Sequence, residues 1–279
     1  MPIKVITDST ADLPPALAQE LGITVIPCYV HFGTEAYRDH IDMEADEFYR
    51  RLAQSRALPT TSAPSPGTFV EAYQQAAAEA DEILSIHLSA KLSATMSSAL
   101  LAKEQIGPGF RVEVIDSQSV SMGLGLLVTA AAKAVKSGAN LDEACELLRQ
   151  TIHRTHLFAL LDTLEYLKKG GRIGRAQALL GTLLNIKPLI TVREGEVSPL
   201  ERVRTRARGL QRLRELAEAL PRPQALAVLY STTPEEAEKL AQQLEPLCPS
   251  GEVYRSIFSP VLGAHCGPGT LGLAAIAGE

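Results

Sequence analysis

Hydroxyl side chains crowd one stretch of the sequence, residues 82–99, where a protein could bind an anion. Its first part, residues 83–87, is a short apolar run typical of a buried strand. The hydroxyls that follow are Ser89, Ser93, Thr95, Ser97 and Ser98. An Ala- and Leu-rich segment then continues to residue 101 as a predicted helix. Open α/β sheets bind anions and carboxylates where a strand ends in a polar turn before a helix. Helix capping is the alternative role of these hydroxyls, and spacing alone leaves both roles open.

Two glycine-rich loops carry further polar candidates. Arg172 lies within the first loop, GGRIG at 170–174, and His265 stands two residues before the second, GPGTLG at 267–272. Either loop could hold a phosphate, but neither has the spacing of a P-loop or of a dinucleotide-binding fingerprint. Tight turns are the alternative use of such glycines. Arg172 and His265 nevertheless become candidates for contact with an anion.

No set of residues has the spacing of a known catalytic or metal centre. A GxSxG sequence is absent, and His153 and His156 lack a nearby carboxylate or cysteine that would complete a metal site. Asp8 follows a predicted strand without the DxD pattern of aspartyl nucleophiles. Ser93 has no evident base, because the neighbouring His87 at the strand end is free to point the other way. The sequence therefore predicts no nucleophile–base pair, no catalytic residue and no metal.

A repeated β-α pattern must position these residues in the first half of the chain. Strands are predicted at 3–7, 83–87 and 111–115, each followed by a polar residue and a helix. Parallel strands end at the same sheet edge, so the strand ends should lie together. We expect the carboxylates of Asp8 and Asp116 there to fix loop geometry by accepting backbone N–H bonds.

Prolines determine the predicted structure of two other segments in the first half of the chain. Residues 23–32 are predicted to form one strand interrupted by Pro27. Residues 59–67, with three prolines and four hydroxyls, are predicted to be an irregular loop that reaches the same sheet edge.

The pattern changes near residue 156. A strand at 157–161, a helix at 176–184 and a hairpin of residues 186–192 and 196–200 are predicted. Mixed strands of this kind indicate an antiparallel component. We predict an α/β protein of two domains with the ligand between them. Residues 1–156 form an N-terminal three-layer domain with a parallel sheet, and residues 157–279 form a C-terminal two-layer domain with a mixed sheet.

Composition limits the class of protein. Of 279 residues, 46% are hydrophobic and 21% are charged, which permits a substantial core. The net charge of −5 argues against a nucleic-acid partner. Four cysteines without CxxC spacing fit reduced thiols in the cytoplasm. We expect no signal peptide and no stable membrane insertion.

Taken together, the motifs resemble the DegV family. The matching segments run in order over essentially the whole chain: TDSTADLP (7–14), PTTSAPS (59–65), HLSAKLSATMSSA (87–99), VIDS (114–117), LEYLKKGGRIG (164–174), NIKPLI (185–190), VRT (203–205) and GAHCGPGTLG (263–272). The family pattern has Gly where this chain has Ala94. Each segment alone is weakly specific, whereas eight in register are highly specific.

The resemblance implies a fatty-acid-binding subunit that buries one long-chain fatty acid between its domains. The carboxylate would be held by Thr61 or Ser62 and by Ser93 with Thr95. A separate ATP-dependent fatty acid kinase subunit would convert this carboxylate to an acyl phosphate. The residues implied for the head group and the kinase-facing surface are Arg172, Arg204 and His265, with Arg202 a weaker candidate. No cofactor is implied, and transient membrane contact for lipid exchange is left open.

Two alternatives stay open at this level. The chain could be an enzyme acting on a small phosphorylated or carboxylated metabolite, with Arg172 binding the phosphate and Asp8 or His265 as acid or base. It could also be a regulatory binding module whose basic segment 202–214 faces a partner protein.

Overall fold

The computed structural model of the protein describes residues 2–55, 57–107, 109–181, 186–248 and 253–278. The strands are β1 (Ile3–Asp8), β2 (Thr24–Ile26), β3 (Tyr29–Phe32), β4 (Glu35–Arg38), β5 (Thr60–Ser62), β6 (Glu82–His87), β7 (Arg111–Asp116), β8 (Thr155–Leu160), β9 (Lys187–Arg193), β10 (Glu196–Val203), β11 (Ala225–Tyr230), β12 (Val253–Ile257) and β13 (Leu271–Ile276). The α-helices are α1 (Pro15–Glu20), α2 (Ala45–Gln54), α3 (Pro66–Ala77), α4 (Thr95–Ile106), α5 (Met122–Lys136), α6 (Leu141–Ile152), α7 (Glu165–Lys169), α8 (Arg206–Glu218), α9 (Pro234–Leu244) and α10 (Pro260–Cys266).

A parallel sheet with the order β2-β1-β6-β7 forms the centre of the N-terminal half. Every residue of the central strand β6 is buried, which explains its continuous apolar run. Ile83 faces Phe69 and Tyr73 of α3, whereas Leu84 packs with Leu124 of α5 on the opposite face. Helices therefore cover both faces of the sheet, as predicted, and the strand ends meet at one edge.

A small antiparallel sheet, β4-β3-β5, corrects two of the predictions. The segment predicted as one strand, residues 23–32, divides at Pro27: β2 pairs with β1, and β3 pairs with β4 and β5. Part of the predicted loop 59–67 forms β5, whose residue Thr61 pairs with Val30. The edge strand β5 is short enough to fit between Pro59 and Pro64, so no proline interrupts its ladder.

A six-stranded mixed sheet, β10-β9-β8-β13-β11-β12, forms the C-terminal half. One face packs against α8 and α9, including Leu213 and Leu240. The other face packs against Met122 and Leu126 of α5. Helix α5 therefore lies between the two large sheets, which explains why it is apolar on nearly all sides. The fold is α/β with a parallel and a mixed sheet; the boundary at residue 156 stays a prediction.

One local prediction in the second half was wrong. The helix predicted at 176–184 is a short 3₁₀ helix, Gly174–Leu179, and residues 182–185, which include the first residue of the NIKPLI motif, lie outside the described residues. The apolar run before His265, for which no secondary structure was predicted, forms the 7-residue helix α10. None of the described helices is long and apolar enough to span a membrane.

Candidate functional site

A largely apolar cavity lies where the two large sheets and α10 meet. Its volume is about 190 Å³, counting only the space that the centre of a water molecule can occupy. Apolar side chains from both halves line it, among them Leu88, Leu157, Ile190, Phe258 and Val261. No Asp or Glu occurs among the described residues of its wall. Some of the polar side chains in the wall belong to the segments predicted from the sequence, and others were not predicted.

Thr61 and His265 meet at this wall although they are far apart in the sequence. Thr61 Oγ1 of β5 lies 2.9 Å from Nε2 of His265, which is on α10. The neighbouring Ser62 also lines the cavity, and its Oγ lies 2.8 Å from His31 Nε2. The strand pairing of β5 with β3 fixes both hydroxyls at the cavity.

The imidazole ring of His265 is held in its neutral form. Burial, with the positive charge of Arg172, lowers its pKa to about 4. Its Nδ1 atom is buried without a hydrogen-bond partner, and a Cβ atom added to Gly170 would lie 2.3 Å from it. Because no acceptor faces Nδ1, we assign the proton to Nε2, which then donates to Thr61. Gly170 thus provides the space in which the His265 ring sits.

Arg172 connects His265 to the hydroxyl-rich turn. Its Nε donates to the carbonyl of Leu92 at 3.2 Å, and its NH1 donates to the carbonyl of Gly170 at 2.9 Å. The side chain lines the cavity, is solvent-exposed, and has no acidic partner in the part of the chain that the structure describes. One guanidinium therefore lies beside both halves of the site with its charge not neutralised by a carboxylate.

Ser93 and Thr95 occupy different positions relative to the cavity. Ser93 lines the wall, while Thr95 is fully buried and lies behind it. Ser93 Oγ is 2.9 Å from Thr95 Oγ1 and accepts a bond from the Thr95 backbone N–H at 3.3 Å. With Thr95 as donor, the Ser93 hydroxyl proton is free to point into the cavity. Thr95 therefore orients Ser93 and does not itself line the cavity.

Arg202 and Arg204 do not lie at the cavity. Both are exposed near the end of β10, and Arg202 NH2 donates to the carbonyl of Ala178 at 2.8 Å. Neither belongs to the described wall of the cavity. Arg202 lies within β10, where it pairs with Pro188 of β9, and Arg204 directly follows the strand. Their part in a partner-facing surface stays a prediction.

The sequence predicted no nucleophile–base pair, but the structure brings a serine, a histidine and an aspartate into contact. Ser85 Oγ lies 2.7 Å from His87 Nε2, and His87 Nδ1 lies 3.0 Å from Asp8 Oδ2. All three side chains have 0% exposure, and Tyr73 donates to Ser85 at 2.9 Å. The group resembles a Ser–His–Asp triad, but no substrate can reach a serine buried in this way. Sequence reading missed it because β1 and β6 must pair before Asp8 meets His87.

The predicted role of the strand-end carboxylates is confirmed. Asp8 accepts the backbone N–H groups of Thr10 and Leu88, both at 3.1 Å. Asp116 accepts the N–H groups of Gln118 at 2.8 Å and Ala90 at 3.3 Å. The two carboxylates together fix the turn that leads to Ser93.

Sequence reading missed five polar residues of the wall: Thr10, Cys28, Ser121, Cys266 and Thr270. Thr10 lies in the TDSTADLP segment, and Cys266 and Thr270 lie in GAHCGPGTLG, which were the available signals, whereas Cys28 and Ser121 had none. Burial raises the pKa of the Cys266 thiol to about 12, and burial also raises the pKa of Cys28. Both thiols therefore stay protonated and are poor nucleophiles. No group of three or more described His, Cys, Asp or Glu residues could hold a metal ion.

Comparison with known proteins decides the family. A family model described as "Uncharacterised protein, DegV family" matches residues 2–278. The chain belongs to the DegV family. A DegV domain-containing protein from Deinococcus radiodurans is 38% identical over 283 residues, which cover 98% of this chain and 98% of that protein. Protein DegV from Bacillus subtilis is 34% identical over 280 residues, again covering 98% of each.

Solved DegV structures share the whole fold. A DegV family protein from Thermus thermophilus, described with fatty-acid binding, has a TM-score of 0.90 and 37% identity, and the match covers 99% of this chain and 100% of that one. DegV from Bacillus subtilis, described as a fatty-acid-binding protein, has a TM-score of 0.90 and 33% identity, with both chains covered completely at 100%. The predicted two-domain α/β architecture is confirmed by these DegV structures.

Proposed function

We propose that this DegV protein binds a long-chain fatty acid in the cavity and presents its carboxylate to a separate ATP-dependent kinase, which forms the acyl phosphate. The observation that carries the proposal is an apolar cavity whose wall has hydroxyls, His265 and Arg172 but no acidic residue in its described part. The fatty-acid-binding relatives, at 37% and 33% identity, support the same ligand.

The carboxylate requires donors, because a buried charge without hydrogen bonds is strongly unfavourable. Thr61 accepts a bond from His265 Nε2, so its own hydroxyl proton is available to the ligand. Ser93, oriented by Thr95, offers a second hydroxyl. The first turn of α4 begins at Thr95 and adds a helix N-terminus on the same side. Ser62 is exposed, whereas Thr61 is half-buried beside His265, so we place Thr61 ahead of Ser62 as a carboxylate ligand.

The acyl chain requires an apolar wall, and most of the described wall is aliphatic. Each methylene removed from water contributes about 0.8 kcal/mol, so a long chain supplies most of the binding free energy. A small phosphorylated metabolite would not use this surface. That difference favours a lipid over the alternative of an enzyme for a small metabolite.

The chain supplies binding groups, and the kinase supplies the chemistry. Asp8 is fully buried, and the pKa of His265, lowered to about 4, makes its ring a weak base that carries no acidic imidazolium proton at pH 7, so neither residue suits the acid or base role of a hidden enzyme. Arg172, exposed and without an acidic partner among the described residues, would oppose the negative charge that phosphorylation adds. We also propose a cytoplasmic location, because four cysteines without CxxC spacing fit reduced thiols.

Extraction of the purified protein with organic solvent, followed by mass spectrometry, tests the proposal. We expect one fatty acid per chain, or uptake of added fatty acid by delipidated protein. Absence of both would refute the binding function. The kinase step is tested separately, by phosphate transfer from ATP to the bound acid in the presence of the kinase subunit.

A further inference from the structure

Helix α10 belongs to the C-terminal half of the chain but is seated on the N-terminal half. Val261, Leu262, His265 and Cys266 line the cavity. On its other side, Val261 and Ala264 pack with Phe48 and Tyr49 of α2. The position of α10 therefore determines both the cavity wall and the place of His265.

The first backbone N–H groups of α10 are satisfied largely by two carboxylates from the N-terminal half. Ser259 N donates to Asp12 Oδ1 at 3.1 Å, and Val261 N donates to Asp39 Oδ1 at 3.3 Å. Pro260 has no N–H, and Leu262 N donates to the Ser259 hydroxyl at 3.4 Å. Negative charge is favourable at a helix N-terminus. Here the charged groups come from residues more than 200 positions away in the sequence, so the contacts join the two halves of the chain.

Asp12 connects α10 to α5 as well. Its Oδ2 accepts the hydroxyl of Ser121 at 2.5 Å, and its main-chain carbonyl accepts the hydroxyl of Ser256. Asp12 has a φ of +50°, in the left-handed region that residues other than glycine rarely adopt. The exposures of Asp12 and Asp39 are 2% and 1%, so both contacts lie inside the protein.

We propose that Asp12 and Asp39 are positioning residues of the binding site. They hold the first turn of α10 and thereby place His265 against Thr61 and the apolar residues of α10 against the acyl chain. This inference rests on the proposed fatty-acid-binding function for its ligand. The positioning of His265 itself does not require that ligand.

The charges around Asp39 give this role a pH dependence. Its Oδ2 is buried without a hydrogen-bond partner, and no Lys or Arg of the described chain forms an ion pair with Asp12 or Asp39. The titratable groups that face the pair are His40, Cys28, Tyr49 and Cys266. Burial raises the pKa of both carboxyls, and Asp39 raises the pKa of Asp12 further.

A raised pKa means that the folded state holds the proton more tightly than the unfolded chain, so protonation of the carboxyl stabilises the fold. This contribution is complete below the unfolded pKa of about 4 and is lost as the pH rises through the folded pKa. Asp39→Asn keeps an oxygen for Val261 N and cannot ionise. We therefore expect its melting temperature to match the wild type near pH 4 and to exceed it increasingly toward pH 8.

Asp39→Ala, Asp39→Asn and the control Asp42→Ala test the positioning role. Asp42 also accepts a backbone N–H, from Arg38 at 2.9 Å, but it is an exposed residue that does not contact α10. We expect Asp39→Ala to release isotope-labelled palmitic acid about tenfold faster, since the hydrogen bond that holds Val261 N in the first turn of α10 is lost. Asp39→Asn should restore most of the retention, and Asp42→Ala should release palmitic acid at the wild-type rate.

The imidazole NMR signals of His265 provide a readout that needs no ligand. They should shift in Asp39→Ala and return toward the wild-type position in Asp39→Asn. Equal release from Asp39→Ala and Asp42→Ala with unshifted His265 signals would overturn the inference, as would a pH-independent difference for Asp39→Asn. If no variant, nor the wild type, binds palmitic acid while His265 shifts as expected, the proposed function fails and the positioning role stands.

Discussion

Nε2 of His265 lies 2.9 Å from the Thr61 hydroxyl and joins residues that are 204 positions apart. One is on the short edge strand β5 and the other on α10, so the bond spans the two halves of the chain at the cavity wall. The ring is kept neutral, because burial and the nearby positive charge of Arg172 disfavour its protonation. His265 should therefore make stability depend on pH.

Lowering the pH should weaken the fold through His265. A histidine whose pKa falls from about 6.5 to about 4 on folding stabilises the folded state fully above pH 6.5, and this contribution is lost as the pH falls toward 4. The loss is at most about 3 kcal/mol, since one pKa unit corresponds to about 1.4 kcal/mol. Urea unfolding of the wild type and His265→Gln at pH 4 and pH 7 measures it. An equal difference at both pH values would contradict this expectation.

Gly170→Ala should displace His265. A Cβ at this position would lie 2.3 Å from Nδ1, closer than real contacts permit, so the ring has to move away from Thr61. We expect faster fatty-acid release, by about tenfold, because one donor to the carboxylate loses its partner. The dissociation rate of labelled palmitic acid measures the effect.

Gly109→Ala is the matched control for this substitution. Nothing lies within 4 Å of a Cβ at residue 109, and it is distant from the cavity wall. Its release rate should equal the wild-type rate. If Gly170→Ala also releases palmitic acid at the wild-type rate, the His265 ring can move without loss of fatty-acid retention, which would contradict the prediction.

Ser93→Ala and Arg172→Ala should separate binding from presentation. Ser93→Ala removes a hydroxyl donor and should reduce fatty-acid retention by about tenfold. Arg172→Ala should leave the acid bound and reduce phosphorylation by the kinase, since its exposed charge has no acidic partner among the described residues. Retention and phosphate transfer are measured on the same preparations.

Ser97→Ala is the control for the serine substitution, because Ser97 is exposed on α4. It should match the wild type in both assays. If Ser93→Ala and Arg172→Ala lose retention and transfer to the same extent, the division of roles is wrong.

His87→Leu should destabilise the N-terminal half without abolishing a reaction. The substitution removes both ring hydrogen bonds and leaves Asp8 with one partner fewer in a site of 0% exposure. Loss of a hydrogen bond to a buried carboxylate costs about 1.5–3 kcal/mol, which urea unfolding can measure. His153→Leu, at an exposed position, should lose less than about 1 kcal/mol. Similar losses for both would show that the buried group does not support the fold.

The sequence by itself determined the fold class and the family, and it identified five of the polar residues that line the cavity. The apolar run of β6 and the polar residues after each parallel strand are local patterns, and they fix which residues reach the sheet edge. Ser93, Thr61, Ser62, Arg172 and His265 all follow from motifs, and all five line the cavity. Such patterns are visible because each depends on a few consecutive side chains.

Only the tertiary structure decided how these residues meet. The pairing of β5 with β3 turned a proline-rich loop into a strand, and that pairing brings Thr61 to His265. The pairing of β1 with β6 formed the buried group of Asp8, His87 and Ser85, which no local pattern contains. Arg202 and Arg204 do not line the cavity because they lie at the far end of β10 from Val197, which does. Hydrogen bonds between distant segments depend on packing, so a chain read residue by residue cannot reveal them.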